Sequence, residues 1–376
     1  MKPATFLILT VLTCINAATA SAQPQAQNRG IAINLKTKQG TLLTQVLASI
    51  ILRENRIGID PDRTINVYLP PGYATSDKSY PVVYYLHSTG WSPKKMFEDG
   101  NLANLLERGF ANEVVQDFIF VAADYSTPTT GSIYENSPIS GRWLDFTTQE
   151  LVPFIDKKFR TLCHRNSRAV VGDFFGGRGA LKLAMAHADL FSVAYALHPV
   201  ATGTGHVPWP FIQIDWKKIY GAKNFNDLGS DGRTRLFVTI SQAFLPNPDR
   251  PPFYCDFFME PQNGEPKLHV ANEMKTRAGF LLEETLNAAV DKLRTMRGLA
   301  LDWGRFDPTQ DHIYANQAFS RRLEDLGIEH EAEEYRGNPS NRNWTSDGRF
   351  YARVLPFLNK HLQFETKASA SQANTH

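Results

Sequence analysis

Val170-Val171-Gly172-Asp173-Phe174-Phe175-Gly176-Gly177-Arg178-Gly179-Ala180 is the stretch that decides the fold. Two β-branched residues run into a glycine cluster, and Ala180, Leu181, Leu183 and Ala184 follow on an amphipathic spacing. Valines favour a strand, glycines permit a sharp turn, and the apolar spacing after them suits a helix. The stretch therefore reads strand, turn, helix. Gly172 and Gly176 stand where a G-x-S-x-G nucleophile elbow places its glycines. The residue in the serine's slot is Phe174, which has no acid–base or nucleophilic chemistry.

The flanking sequence extends this pattern. Apolar runs at 82–86 and 118–122 have the length and continuity of strands buried on both faces of a parallel sheet. Further strands are expected at 45–52, 63–69, 169–171, 193–197, 235–241, 299–302 and 330–335. Helical spacing covers 97–108, 146–159, the run after the elbow to about 187, 272–297, 313–326 and 350–362. Pro153 should kink its helix or mark the true start, Gly279 should break the long one, and Gly327 is a good C-cap. Segment 201–232 reads as an insertion over the sheet edge, and 246–264 as proline-rich and irregular. Alternating strands and helices imply an α/β fold with a mostly parallel sheet, with two antiparallel strands expected at its start.

Composition sets the outer bounds. The chain has 376 residues, 42% hydrophobic and 21% charged, with a net charge of +2. It has ample core material and no charge signal for nucleic acid or an anionic membrane surface. Lys2, the short apolar run 6–15 and Ala20-Ser21-Ala22 read as a cleavable signal peptide over 1–22, with cleavage near Ala22-Gln23. The apolar run is too short to span a bilayer, so the expected destination is the periplasm or the exterior. Residues 23–40 read as a flexible segment, 41–363 as the α/β domain and 364–376 as a disordered tail. Cys163 and Cys255 remain after cleavage, and the sequence leaves a disulfide between them open. No metal-ligand spacing, EF-hand loop or phosphate loop is visible, so neither metal nor cofactor is expected.

Several stretches together resemble the putative esterase family of the α/β-hydrolase fold, which includes esterase D, feruloyl esterases, enterochelin esterases and mycolyltransferases. They are Val67-Tyr68-Leu69-Pro70-Pro71-Gly72-Tyr73, the run Tyr80-Pro81-Val82-Val83-Tyr84-Tyr85-Leu86-His87, and Asn136-Ser137-Pro138. Glu150-Leu151-Val152-Pro153-Phe154-Ile155-Asp156, Phe159-Arg160-Thr161, the elbow helix ending in Asp189-Leu190-Phe191, and Leu355-Pro356-Phe357-Leu358 complete the series. The resemblance implies the α/β-hydrolase fold from about residue 43 to 362, with loop insertions above the carboxyl ends of the strands. It also implies a Ser-His-Asp triad. Here Phe174 replaces the serine, Pro339 falls at the histidine, and Asp307 stands at the acid position, with Asp311 a less favoured choice. The oxyanion-hole positions are Phe175 and Ser88, where the family's L-H-G has lost its glycine.

The expected function is therefore that of an exported esterase-family protein impaired in serine-triad ester hydrolysis, binding a ligand or partner. A small ester, an aromatic molecule or a carbohydrate is the ligand class expected, and Trp91, Tyr134, Trp143, Trp209, Trp216 and Trp344 are candidates to line its groove. Two alternatives stand beside it. One is an active ester hydrolase or acyltransferase with a non-standard site using Asp173 or His198. The other is an inactive structural subunit paired with an active homologue. His87 and His312 read as structural or capping residues.

Overall fold

Eight strands form one central sheet in the computed structural model, which describes residues 39–207, 212–339 and 343–364. They are β1 (Thr41–Ala48), β2 (Asp62–Leu69), β3 (Val82–Leu86), β4 (Ile119–Ala123), β5 (Arg168–Asp173), β6 (Val193–Leu197), β7 (Gly298–Gly304) and β8 (Glu331–Tyr335). The spatial order is β1-β2-β4-β3-β5-β6-β7-β8. From β4 to β8 every pairing is parallel. β2 runs antiparallel to both β1 and β4, so the expected antiparallel start is present. The signal-peptide reading and the tail from 365 onward lie outside the described residues.

Side-chain alternation divides the central strands between two cores. Val82, Tyr84 and Leu86 of β3 face one core, while Val83 and Tyr85 face the other. All five are buried, which is why β3 reads as an unbroken apolar run. The flanking helices are α1 (Leu102–Ala111), α2 (Val152–Lys158), α3 (Phe175–Ala186), α4 (Gly232–Phe244), α5 (Val270–Phe280), α6 (Gln310–Asp325) and α7 (Leu355–His361). A third apolar cluster, built on Trp216, Phe237, Phe253, Phe257, Phe258 and Phe280, lies in the segment between β6 and β7.

Several expected elements differ from those observed. Residues 235–241, expected as a strand, lie inside α4. Its Phe237, Val238, Thr239, Ile240 and Ser241 are all buried, so the run lacks the polar face that marks a surface helix. The signal for a helix was Asp231, whose carboxylate accepts the N–H groups of Arg233 and Thr234. The helix expected over 97–108 is two, Pro93–Glu98 and α1, divided at Asn101 with φ 53°. The long helix expected over 272–297 breaks at Leu281: α5 ends at Phe280, short helical segments resume over Leu282–Leu286 and Val290–Leu293, and Gly279 itself stays helical. A Cβ at Gly279 would collide with the Phe244 ring, so close packing of α5 on α4 is the reason for that glycine. Pro153 sits in the first turn of α2, after a π-helical stretch. Within 246–264 begins a hairpin, Met259–Gln262 with Glu265–Leu268, that the sequence reading left irregular. Cys163 is exposed and Cys255 buried, and both are free thiols.

Candidate active site

The elbow glycines are required by contact. A Cβ on Gly172 would strike the Gly176 carbonyl, and one on Gly176 would strike that of Leu86. The turn between β5 and α3 packs this tightly against the end of β3. Phe174 at its apex has φ 49° and ψ −111°, a conformation that costs a non-glycine residue roughly 1–3 kcal/mol. Its ring packs on the imidazole of His198, centroids 5.0 Å apart. His198, at the end of β6, also has a positive φ of 44°.

Asp173 is buried and faces the end of β3. Its Oδ1 accepts the Tyr85 hydroxyl at 2.9 Å and the Ser88 N–H at 3.1 Å. Burial pushes its carboxyl up to about 6, and these two hydrogen bonds offset only part of that. Asp173 thus anchors the loop after β3. The Ser88 N–H, read from sequence as an oxyanion donor, is occupied by this carboxylate. Thr89, next in the chain, reaches the cavity described below. His87 is also structural, since its Nε2 accepts the Tyr125 N–H at 3.0 Å.

Asp307 lies in the loop after β7 and gathers three donors. Its Oδ2 takes hydrogen bonds from His198 Nε2 at 2.6 Å and His312 Nδ1 at 2.8 Å, and its Oδ1 from the Thr309 N–H at 2.8 Å. Burial alone would raise this carboxyl, but the bonds from His198, His312 and Thr309 outweigh it and hold the group well below the usual carboxylate range. His198 is fully buried. Its Nδ1 accepts the Gly304 N–H at 3.0 Å, which places the proton on Nε2, facing Asp307. Both ring nitrogens are therefore committed, and His198 has no lone pair to offer a substrate. Burial lowers its pKa, with Asp307 opposing.

The loop after β8 does reach the acid loop. The Phe306 N–H donates to the Gly337 carbonyl at 3.0 Å, and a Cβ on Gly304 would stand 2.9 Å from Pro339 Cδ. It brings a proline ring with no proton to give or take. Asp311 instead accepts the N–H groups of His206 and Val207, each at 2.8 Å, and holds that loop. His312, expected as a capping residue, is the group the sequence reading missed. The available signal was its spacing, five residues after Asp307 across a Pro308 turn and into the first turn of α6.

A cavity of about 860 Å³ opens beside these groups. Phe175, Phe237, Ile240, Phe280 and Leu281 form much of its apolar wall, while Thr89, Thr130, Arg233 and His312 supply polar groups. The volume and lining are those of a small-molecule site. Phe175, not Phe174, lines it. The sequence candidates for an aromatic groove lie elsewhere: Tyr134 and Trp143 belong to the first core, Trp216 to the third, and Trp344 packs on Tyr85. Trp91 packs against the second core, and Trp209 is outside the described residues. The cavity wall is tied to the elbow helix by Arg178, fully buried, which donates to the carbonyls of Phe280 and Ile133 and pairs with Glu135 at 2.7 Å.

The sheet order, the strand–elbow–helix and the acid loop after β7 define the α/β-hydrolase fold. The putative esterase family model matches residues 58–347, and the chain belongs to that family. Over 138 residues the chain is 33% identical to an esterase of Mycobacterium tuberculosis, a match covering 37% of this chain and 29% of the relative. It is 30% identical over 115 residues to endo-1,4-beta-xylanase Y of Acetivibrio thermocellus, covering 30% of this chain and 10% of that one. The matches thus span less than a third of these curated relatives. Among solved structures, a ferulic acid esterase superposes with TM-score 0.58 at 19% identity, covering 86% of this chain and 99% of the other. An S-formylglutathione hydrolase from Agrobacterium tumefaciens gives 0.51 at 14%, covering 87% and 97%. At these identities the likeness establishes the fold.

Proposed function

We propose that this chain is an exported member of the esterase family that binds a small ester or carboxylic acid with an apolar or aromatic body, and that it forms no acyl-enzyme at the elbow. The observation that carries the reading is the pairing of an intact elbow with Phe174 at its apex, beside the ligand-sized cavity lined by Phe175 and His312. Covalent catalysis needs an ionisable nucleophile beside a base with a free lone pair. Phe174 provides no nucleophile, and His198, the ring against it, has both nitrogens bonded. The export part rests on Lys2, the apolar run 6–15 and Ala20-Ser21-Ala22. No helix among the described residues is long and apolar enough to cross a membrane.

The test is calorimetric titration with ferulic acid, taken from the name of the structural neighbour, and with N-(4-nitrophenyl)butanamide. Saturable binding of one molecule per chain, weakened at least tenfold by the cavity-filling Ile212→Trp, is expected. Binding of neither probe would overturn the ligand reading. Labelling by a serine-directed fluorophosphonate would overturn the acyl-enzyme part.

A further inference from the structure

The loss of a histidine after β8 leaves Asp307 without its expected partner, yet Asp307 carries two others. They are not equivalent. His198 is fully buried and spends both nitrogens. His312 is partly exposed, lines the cavity, and uses only Nδ1 on Asp307. With Asp307 held ionised, that bond places the His312 proton on Nδ1 and the lone pair on Nε2. No hydrogen-bond partner of Nε2 occurs among the described residues. This is the tautomer and the carboxylate support that a catalytic histidine needs.

A divalent cation is the rival reading, because His198, Asp307 and His312 bring three ligand atoms within 4.8 Å of one another. The tautomers oppose it. A metal on His198 Nε2 would require the proton on Nδ1, where it would meet the Gly304 N–H at 3.0 Å. The cluster is a hydrogen-bonded relay around one carboxylate, with its open end at His312.

The start of the elbow helix borders the same cavity. Phe175 is the first residue of α3, where backbone N–H groups have no intrahelical partner, and it lines the cavity with His312. His312 and the first residue of α3 therefore border one space.

We infer that His312 is the general base of a one-step ester hydrolysis in this cavity. Water attacks the ester carbonyl carbon while His312 Nε2 takes its proton. The tetrahedral intermediate then breaks its C–O bond to the alkoxy group, and the departing oxygen takes that proton back from the imidazolium. Ester and water give carboxylic acid and alcohol, with no enzyme-bound intermediate. The inference rests on the cavity being an ester-binding site.

The experiment follows p-nitrophenyl butyrate hydrolysis by the full chain, with binding of N-(4-nitrophenyl)butanamide measured in parallel. Wild type is expected to exceed buffer. His312→Gln should lose roughly 100-fold in kcat, the scale of general-base catalysis, while amide binding stays within twofold. Imidazole should restore part of the rate to His312→Ala, which a merely structural role would not allow. Amide binding with no turnover above buffer would overturn the inference and leave the binding reading standing. Failure of the amide and ferulic acid to bind would overturn the binding reading, and the inference with it. An unchanged rate in His312→Gln, or no rescue by imidazole, would also overturn it.

Discussion

The ring of Phe174 lies 5.0 Å from that of His198, centroid to centroid and tilted by 54°, and both residues sit at positive φ. The apex of the elbow is strained, and the residue on it is a phenylalanine. A serine restored at 174 would meet an imidazole whose Nε2–H points to Asp307 and whose Nδ1 accepts from Gly304. It would gain a hydroxyl against an imidazole with no free lone pair. Phe174→Ser alone should therefore stay at background in fluorophosphonate labelling. Strong labelling would mean that His198 changes tautomer or partner when the phenyl ring is removed.

Arg178 is expected to be a main support of the cavity wall. Its guanidinium is fully buried and satisfies the carbonyls of Phe280 and Ile133 as well as Glu135. Arg178→Met removes the donors and leaves those acceptors buried, while Lys182, 3.2 Å from Glu135, can answer only the carboxylate. Removing one partner of such a network costs roughly 3–5 kcal/mol. The denaturant midpoint should fall accordingly, and a change below about 1 kcal/mol would contradict this account.

The sheet was legible in the sequence because its strands are buried on both faces: 82–86 and 193–197 needed no correction. The elbow was legible because glycines are the residues that allow β5, α3 and the end of β3 to approach so closely. α4 was misread because burial on several sides removes the polar face that separates a helix from a strand. The acid Asp307 could be placed by its order after a strand, but its contacts could not. They depend on how β6 ends and how α6 begins, positions separated by more than a hundred residues in the case of His198. Arg178 gave no signal, since a single arginine among glycines reads as a surface residue until the segment carrying Phe280 is folded over it.

Asp173 should make stability depend on pH in the opposite sense to an ordinary salt-bridged carboxylate. Burial raises its folded pKa to about 6 from an ordinary 3.8. The native state therefore holds the proton more tightly than the unfolded chain. Its stabilising effect is fully present below about pH 4 and is lost as pH rises through about 6. Asp173→Asn keeps an acceptor for Tyr85 and Ser88 without the buried charge. The variant should match wild type near pH 4 and exceed it by roughly 2–3 kcal/mol at pH 7.5 in urea unfolding. Equal stabilities at both pH values would show that the carboxylate is better solvated than its surroundings allow.

Asp307 should behave in the reverse way. Its folded pKa is depressed, so its contribution is present above the ordinary carboxylate value and is lost as pH falls through the folded one. An asparagine there cannot reproduce the charge or the geometry. Three N–H donors converge on the two oxygens, and a single amide oxygen can face only one side. Whichever way it turns, its NH₂ opposes either the Thr309 N–H or the two imidazoles. His312 can swing into solvent, but His198 is enclosed and held by Gly304. Asp307→Asn should therefore cost roughly 3 kcal/mol at pH 7, and the deficit against wild type should shrink in acid as the native carboxylate is protonated. A deficit that stayed constant down to strongly acidic pH would show that shape, not charge, is what Asp307 contributes.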